Sequence, residues 1–445
     1  MLDRRPSRNW NALIVDVVEG RWTDPETGRP AEVPFDTIRL AESLEGLEAD
    51  LVRDLGFGGR LAVVSDENTV EAMGRRVGRA LRAVAGVDEV VLSADVSADE
   101  PTVAHVQHLT RHADAVVAVG SGALSDICKY ATFKDGRPYA VFGTAASMNG
   151  YAASTASVTL ANGFKTSLPA HAPRGIFLDL AVSAAAPAWL SAAGLGDSLC
   201  RPTAQVDWWA SHRLFGTHYS NTPYALQEGD EGPMIETAAR LAGGDVTAVG
   251  ILQRVLTLCG LGVCFTGVSN HGSMGEHLVS HWIDMFAGER HPGTIHGQQV
   301  GVASIAIARL QHRILSLDAP PQVRATVVDE AGMMERYGPE IGAMCVAEMR
   351  KKALDKAGAA AFNRRMAELW PVLRDELRAF TLPVETMEGA LKAAGGPTDA
   401  ASLGLDPGLW RQAMKHAREI RGRWSFLDYA DDAGLLDDFL DEEAP

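Results

Sequence analysis

The chain is short of three things that would place it in familiar classes: cysteine, positive charge and long apolar runs. Its 445 residues hold five cysteines, Cys128, Cys200, Cys259, Cys264 and Cys345, with no C-x-x-C pair. An odd, scattered set argues for the reduced thiols of a cytoplasmic protein rather than a disulfide framework. Lys plus Arg number 41 against 57 Asp plus Glu, a formal charge of −16. A nucleic-acid binder needs a basic stripe to displace phosphate counterions, and an anionic membrane surface asks for the same, so neither partner is expected. A small anionic ligand stays open, because a local basic pocket can sit inside an acidic protein. No stretch approaches the ~18 consecutive apolar residues of a membrane helix. The opening MLDRRPSRNW has charge but no apolar run behind it, so neither membrane insertion nor a secretory signal is expected. A G-x-S-x-G elbow, an H-E-x-x-H pair and a G-x-x-x-x-G-K-S/T loop are also missing, which leaves serine hydrolase, zincin and P-loop chemistry without support.

What is present is an ordinary globular composition, 46% hydrophobic and 22% charged. At roughly 100–200 residues per domain the length predicts two or three domains. From about residue 36 to 185, short apolar runs (Leu61–Val64, Glu89–Leu92, Ala115–Val119, Tyr139–Phe142) alternate with helical patterns (Val70–Val84, Thr102–Ala113). That alternation predicts βαβ units on a parallel sheet with flanking helices. Beyond residue 186 the β signal fades. Asp329–Asp355 and Ala359–Phe380 carry apolar residues at three- and four-residue spacing, the mark of amphipathic helices. The expected division is an α/β domain over 1–185 and an all-helical domain over 186–445. Gly20–Pro30 reads as a turn-rich loop or hairpin. The end, Asp428–Pro445, interleaves eight carboxylates with apolar residues. It is expected to dock by its apolar face and leave its acids in water.

Three constellations could carry chemistry. Gly120-Ser121-Gly122-Ala123-Leu124-Ser125-Asp126 ends a predicted strand and opens a helix. Glycines let a backbone approach a pyrophosphate, and a helix N-terminus offers unpaired N–H groups. The third glycine of the dinucleotide fingerprint is missing, so this segment suits a structural turn as well as a phosphate site. Asp66 follows the Leu61–Val64 strand, where a carboxylate either caps a helix or meets ribose hydroxyls. Asp197, His277, His281 and His296 are the third set. His277 and His281 stand four apart, on one helix face. One carboxylate and two imidazoles make an open divalent-metal site, although on spacing alone structural histidines are the favoured reading, since the chain has 13 histidines and pairs four apart are common.

In this order these segments resemble the sn-glycerol-1-phosphate dehydrogenase family, within the iron-containing alcohol dehydrogenase and dehydroquinate synthase-like superfamily. The resemblance rests on Gly120–Gly122 through Asp126-Ile127-Cys128-Lys129-Tyr130-Ala131, on Thr144-Ala145-Ala146-Ser147-Met148-Asn149-Gly150-Tyr151, and on Gly163-Phe164-Lys165 with Pro173-Arg174. Gly194-Leu195-Gly196-Asp197, Gly275-Glu276-His277 and His296-Gly297 complete it. It implies a nucleotide-binding α/β domain, a helical domain and an active site in the cleft between them. It implies that Asp197, His277 and His296 bind one divalent metal (zinc, nickel or iron). It further implies that Asp66, Gly120, Ser121, Gly122, Asp126, Thr144 and Ser147 line NAD(P). The implied activity is hydride transfer between NAD(P) and a small phosphorylated secondary alcohol, in a cytoplasmic homo-oligomer. The alternatives are a dehydroquinate-synthase-like lyase or cyclase that recycles bound NAD, and a paralogue with another polyol or phosphonate substrate.

Within that frame a metal lowers the pKa of a substrate hydroxyl. His281 becomes either a proton relay or a plain helix-face histidine. Lys165 and Arg174 either hold a substrate phosphate or are surface charge. Two departures concern the substrate. The family's Ser-Met-Asp-Gly-Tyr reads Ser147-Met148-Asn149-Gly150-Tyr151, with a neutral amide in place of the acid expected to meet the polyol. The family's Arg-Pro pair is replaced within Val268-Ser269-Asn270-His271-Gly272-Ser273-Met274, so an expected cation is gone.

Overall fold

The computed structural model describes residues 9–443; the basic residues 1–8 invoked above, and residues 444 and 445, lie outside the described residues. Two compact units are formed. The first comprises residues 1–195, 221–268 and 393–395, and the second 196–220, 269–392 and 396–445. The sequence texture changes near residue 185, whereas the units interleave along the chain.

The first unit is built on eight strands: β1 (Thr37–Ala41), β2 (Arg60–Asp66), β3 (Gly86–Leu92), β4 (Ala115–Gly120), β5 (Tyr139–Gly143), β6 (Thr155–Thr159), β7 (Lys165–Pro169) and β8 (Gly175–Asp179). Six of them form one sheet in the order β1-β8-β5-β4-β2-β3, every neighbouring pair parallel. The apolar runs read from the sequence are β2, β3, β4 and β5. Strands β4, β5 and β8 are buried throughout, as strands covered on both faces must be. One face packs through Leu61, Val63, Val117, Phe142 and Phe177, the other through Ala62, Val64, Val116, Val141 and Ile176. Each fully buried Val, Ile, Leu or Phe contributes about 1.5–3 kcal/mol. Strands β6 and β7 make a separate antiparallel hairpin, which the helical and apolar patterns did not announce. Thr23 and Pro30 bridge antiparallel at the predicted N-terminal turn.

The helix Val246–Thr266 belongs to this first unit. With a mean hydropathy of 1.8 it is long and apolar enough to cross a membrane, and 83% of that stretch is buried. The expectation that no such segment exists is therefore corrected. Gln253 and Arg254 interrupt its apolar run, and Leu258 and Leu261 belong to the sheet-covering core.

The second unit is helical in all its described secondary structure, around Trp282, Ile307, Trp410, Phe426, Leu427 and Leu440. Its long helices, Glu330–Arg350 and Lys356–Phe380, match the predicted amphipathic stretches; the first kinks at Gly338, φ 76°, beside Pro339. The acidic end departs from expectation. Its apolar side chains dock, but Asp428 and Asp432 are also buried. Lys352 and Arg418 meet Asp428 at 2.9 and 3.3 Å, and Thr326 donates to Asp432 at 2.7 Å. Paired charge, rather than water, satisfies these acids.

Candidate active site

In the parallel sheet β3 lies on one side of β2 and β4 on the other, so the strand order reverses between β2 and β4. Ligands of open α/β sheets bind at the carboxyl ends of strands at such a switch point. Asp66 ends β2 and Gly120 ends β4. Asp66 Oδ1 accepts from Thr69 N at 2.8 Å and Thr69 Oγ1 at 2.9 Å. This closes the turn as a cap, and Oδ2 has no hydrogen-bond partner among the described residues, so the cap leaves a carboxylate oxygen for ribose.

The two glycines of the β4 turn have different reasons. A Cβ on Gly120 would stand 2.2 Å from Leu124 Cδ1, so the turn's own helix forbids it. A Cβ on Gly122 would find nothing nearer than Met148 Cγ at 3.7 Å. No packing demands a glycine there, and the open approach suits a pyrophosphate on the N–H groups at the start of the helix Gly122–Asp135. Ser121 is the N-cap residue and its side chain makes no cap hydrogen bond. Thr144 and Ser147, both buried, follow β5 at the same end of the sheet.

Two assignments change. Asp126, expected toward the nucleotide, turns inward: Oδ1 meets Lys129 Nζ at 3.4 Å and Oδ2 accepts from Ser157 N at 3.2 Å. Lys129, fully buried, also donates to the carbonyls of Gly150 and Thr155. Burial disfavours both charges, raising the carboxyl and lowering the ammonium. Arg174 precedes β8 at the amino end of the sheet, opposite the nucleotide turn, and pairs with Asp36. It is structural charge. Lys165 opens β7 in the hairpin, close enough to Asp126 for its charge to favour that carboxylate. Asn149 donates through Nδ2 to Cys259 Sγ at 3.6 Å.

The second unit brings Asp197, His277 and His296 together, their donor atoms all within 4.8 Å of one another. Close backbone packing makes this possible. A Cβ on Gly196 would lie 2.3 Å from the carbonyl oxygen of Gly297, and one on Gly301 2.9 Å from Gly196 Cα. Asp197 is thereby carried up to the start of the helix His296–Leu315. His277 Nε2 lies 3.5 Å and His296 Nε2 3.9 Å from Asp197 Oδ1.

The other face of each ring is held. His277 Nδ1 meets Glu276 Oε1 at 3.0 Å. His296 Nδ1 meets Ser280 Oγ at 2.8 Å, and Ser280 donates its one proton to Gln299 Oε1 at 2.7 Å. Gln299 is oriented in turn by donating to Asp284 Oδ1 at 3.1 Å. Ser280 must then accept from His296, which places the proton on Nδ1 and turns the Nε2 lone pair toward Asp197. Burial opposes charge on His277, but hydrogen bonds to Asp197 and Glu276 outweigh it and raise its pKa to about 9. The acids draw a positive charge to this point, as a cation site requires. The donor set fits a divalent metal.

Cys200, Glu276 and His277 form a second convergent group. The Cys200 thiol is occupied in donating to the carbonyls of Asp197 and Gly272, and Glu276 Oε1 also accepts from Met274 N. That group is better read as support for His277. His281 stands beside the cluster, its ring centroid 5.4 Å from His296 and 6.2 Å from His277. Glu276, Ser280, Gln299 and Asp284 went unread in the sequence; only the adjacency of Glu276 to His277 was a signal.

The parallel sheet, the helical unit and the Asp–His–His cluster define an alcohol dehydrogenase of the iron-containing type. Residues 40–187 match the family model described as iron-containing alcohol dehydrogenase. A maleylacetate reductase from Agrobacterium tumefaciens shares the fold, with a TM-score of 0.62 at 15% identity over 93% of this chain and 98% of that one. A glycerol-1-phosphate dehydrogenase (NAD(P)+) of Methanosarcina mazei is 31% identical over 65% of this chain and 81% of its own length. The enzyme of that name from Bacillus velezensis is 29% identical over 84% and 86%. The chain belongs to the glycerol-1-phosphate dehydrogenase family.

Proposed function

We propose that this protein is a metal-dependent, NAD(P)-linked dehydrogenase that interconverts a small phosphorylated secondary alcohol, of glycerol-1-phosphate type, and its ketone. The observation that carries this reading is the convergence of the His277 and His296 Nε2 atoms on Asp197, with each Nδ1 engaged from behind. A divalent ion held there supplies Lewis acidity toward the reacting oxygen, and a bound nicotinamide supplies hydride exchange. Asp197 contributes the negative charge of the ligand set. Glu276 and Ser280 fix ring tautomer and orientation. His281, a ring's width away, moves the substrate proton between the site and solvent. At the other ligand, the Gly120–Gly122 turn binds pyrophosphate through its backbone, Asp66 Oδ2 takes ribose hydroxyls, and Thr144 and Ser147 border the nicotinamide end.

The relatives' names support the phosphorylated alcohol as substrate, and Asn149 in place of the family's acid supports a changed polyol preference. The same reading takes the protein to be a cytoplasmic homo-oligomer. Five cysteines that form no disulfide support a reducing compartment, and sedimentation velocity tests the assembly. The test of function is a panel of hydroxy phosphates assayed with NAD and NADP after loading with zinc, nickel or iron. Metal-dependent NAD(P)H formation with one of them is expected. Purified protein that binds no divalent ion, or turnover without net NADH change, would overturn it.

A further inference from the structure

Four embedded arginines of this chain are neutralised by carboxylates. Arg76 lies between Glu48 at 2.7 Å and Asp179 at 2.6 Å. Arg309 joins Glu388 and Glu443, Arg336 joins Glu419, and Arg418 joins Asp428, Asp431 and Asp432. Arg423 has no carboxylate within ion-pair distance among the described residues. Its Nη1 donates to the carbonyl and hydroxyl of Ser273, and its Nη2 to Ser269 Oγ at 3.0 Å. Neutral acceptors position a guanidinium without cancelling its charge. Burial and the nearby charge of Arg421 pull its pKa down to about 10. Arg423 is half-buried, and a partly desolvated charge with no carboxylate in contact is costly until an anion supplies the missing partner.

Arg423 also lines a cavity of about 300 Å³, together with Ser211, Thr217, Asn270, Lys351 and Trp424. The walls offer hydroxyl and amide donors, an indole face, and the ammonium of Lys351, which pairs with Glu348. The cavity is linked to the metal-type cluster by short steps: Arg423 holds Ser273, the next residue's N–H donates to Glu276 Oε1 at 2.7 Å, and Glu276 holds His277. Arg423 feels the charge of Glu276. The loop it grips, Ser269–Ser273, is the one from which the family's arginine is missing.

We propose that Arg423 and its cavity bind the phosphate group of the substrate, in place of Lys165 and Arg174. A planar guanidinium matches phosphate oxygens in a two-pronged way, and hydroxyl and amide donors complete the shell. The proposal rests on the functional reading above as to substrate, but the site itself is testable without turnover. Inorganic phosphate is titrated calorimetrically into NAD-saturated enzyme, so that the pyrophosphate turn is already filled, for wild type, Arg423→Gln and Arg423→Lys. Phosphate affinity is expected to fall at least tenfold in the glutamine variant and to return in part with lysine. The ratio of kcat/KM for glycerol 1-phosphate to that for glycerol is expected to fall at least tenfold in parallel. A melting curve of Arg423→Gln without phosphate, within a few degrees of wild type, separates lost binding from lost folding. If that variant is unfolded, Asn270→Ala, at the same cavity, replaces it, with the same direction of change expected. Unchanged phosphate affinity in a folded variant would overturn the proposal. So would lost phosphate affinity with an unchanged substrate ratio, which would make the cavity a separate anion site. If wild type oxidises no hydroxy phosphate while phosphate still binds through Arg423, the functional reading fails and the anion site stands without its substrate role.

Discussion

The first unit offers a ligand mostly backbone, whereas the second offers side chains. On the proposed reading, the working groups at the end of β4 are N–H donors of a glycine turn, which any sequence with the right conformational freedom presents. In the Asp197–His277–His296 cluster every working atom is a side-chain atom, and each needs further residues behind it. A backbone site is specified by what must be absent, a Cβ at Gly122. A side-chain site is specified by what must be present, down to the hydroxyl of Ser280. The first should tolerate substitution of its neighbours; the second should fail at positions that touch no ligand.

The largest effect expected from that contrast is at His277. Alanine there leaves two ligands for a divalent ion, and metal content after dialysis should drop to background along with activity. Wild-type metal content would break the assignment of this cluster. Ser280→Ala keeps all three ligands and removes only the acceptor behind His296. Metal affinity, read from competition with a chromophoric chelator, should weaken about 10–100-fold. No change would show that the tautomer of His296 needs no support. Gly196→Ala forces a methyl group against the Gly297 carbonyl. About 1–3 kcal/mol of stability should be lost by denaturant titration, and metal affinity should fall with it as Asp197 is displaced.

On the backbone side the sign differs. Gly122→Ala meets no atom closer than 3.7 Å, so the melting temperature should hold. NAD(P) affinity should weaken about tenfold, about 1.4 kcal/mol, because the methyl group stands where the pyrophosphate approaches. An unaltered dissociation constant would turn Gly120–Gly122 into a structural turn only. The smallest effect is expected at Asn149. Aspartate there loses the amide donation to Cys259 and should shift the relative kcat/KM over a panel of polyol phosphates by a few-fold toward glycerol 1-phosphate. An identical ranking would make the position irrelevant to specificity.

The parts legible in the sequence were those with a local signature. Strands β2, β4 and β5 announce themselves because burial on both faces demands unbroken apolar runs. The Gly120–Gly122 turn shows because its spacing is contiguous. Strands β6 and β7 were missed because a polar, half-buried hairpin such as Lys165–Pro169 has no distinct period. Of the metal-type cluster, the three ligands came from resemblance rather than spacing, since a helix-face pair alone would have favoured His277 with His281. Their supports were illegible for a physical reason. Ser280, Gln299 and Asp284 are ordinary polar residues until the fold orders them into one hydrogen-bonded line. Arg174 and Asp126 misled because a charged residue in sequence says nothing about which end of a sheet it reaches, or whether a neighbour has already taken it.

The interleaving of the two units has a consequence for how the protein is made. The helix Val246–Thr266 closes part of the core over the first unit's sheet, yet the ribosome reaches it only after residues 196–220 of the second unit have emerged. At about 5–20 residues per second, the 73 residues from Leu195 to Val268 take roughly 4–15 s. Throughout that interval the nascent sheet lacks its cover, and the apolar helix that will supply it is itself unsheltered once it appears. A fragment cut at residue 185 should therefore aggregate rather than bind nucleotide, and translation pauses within residues 196–268 should govern the yield of the intact enzyme more strongly than equal pauses after them.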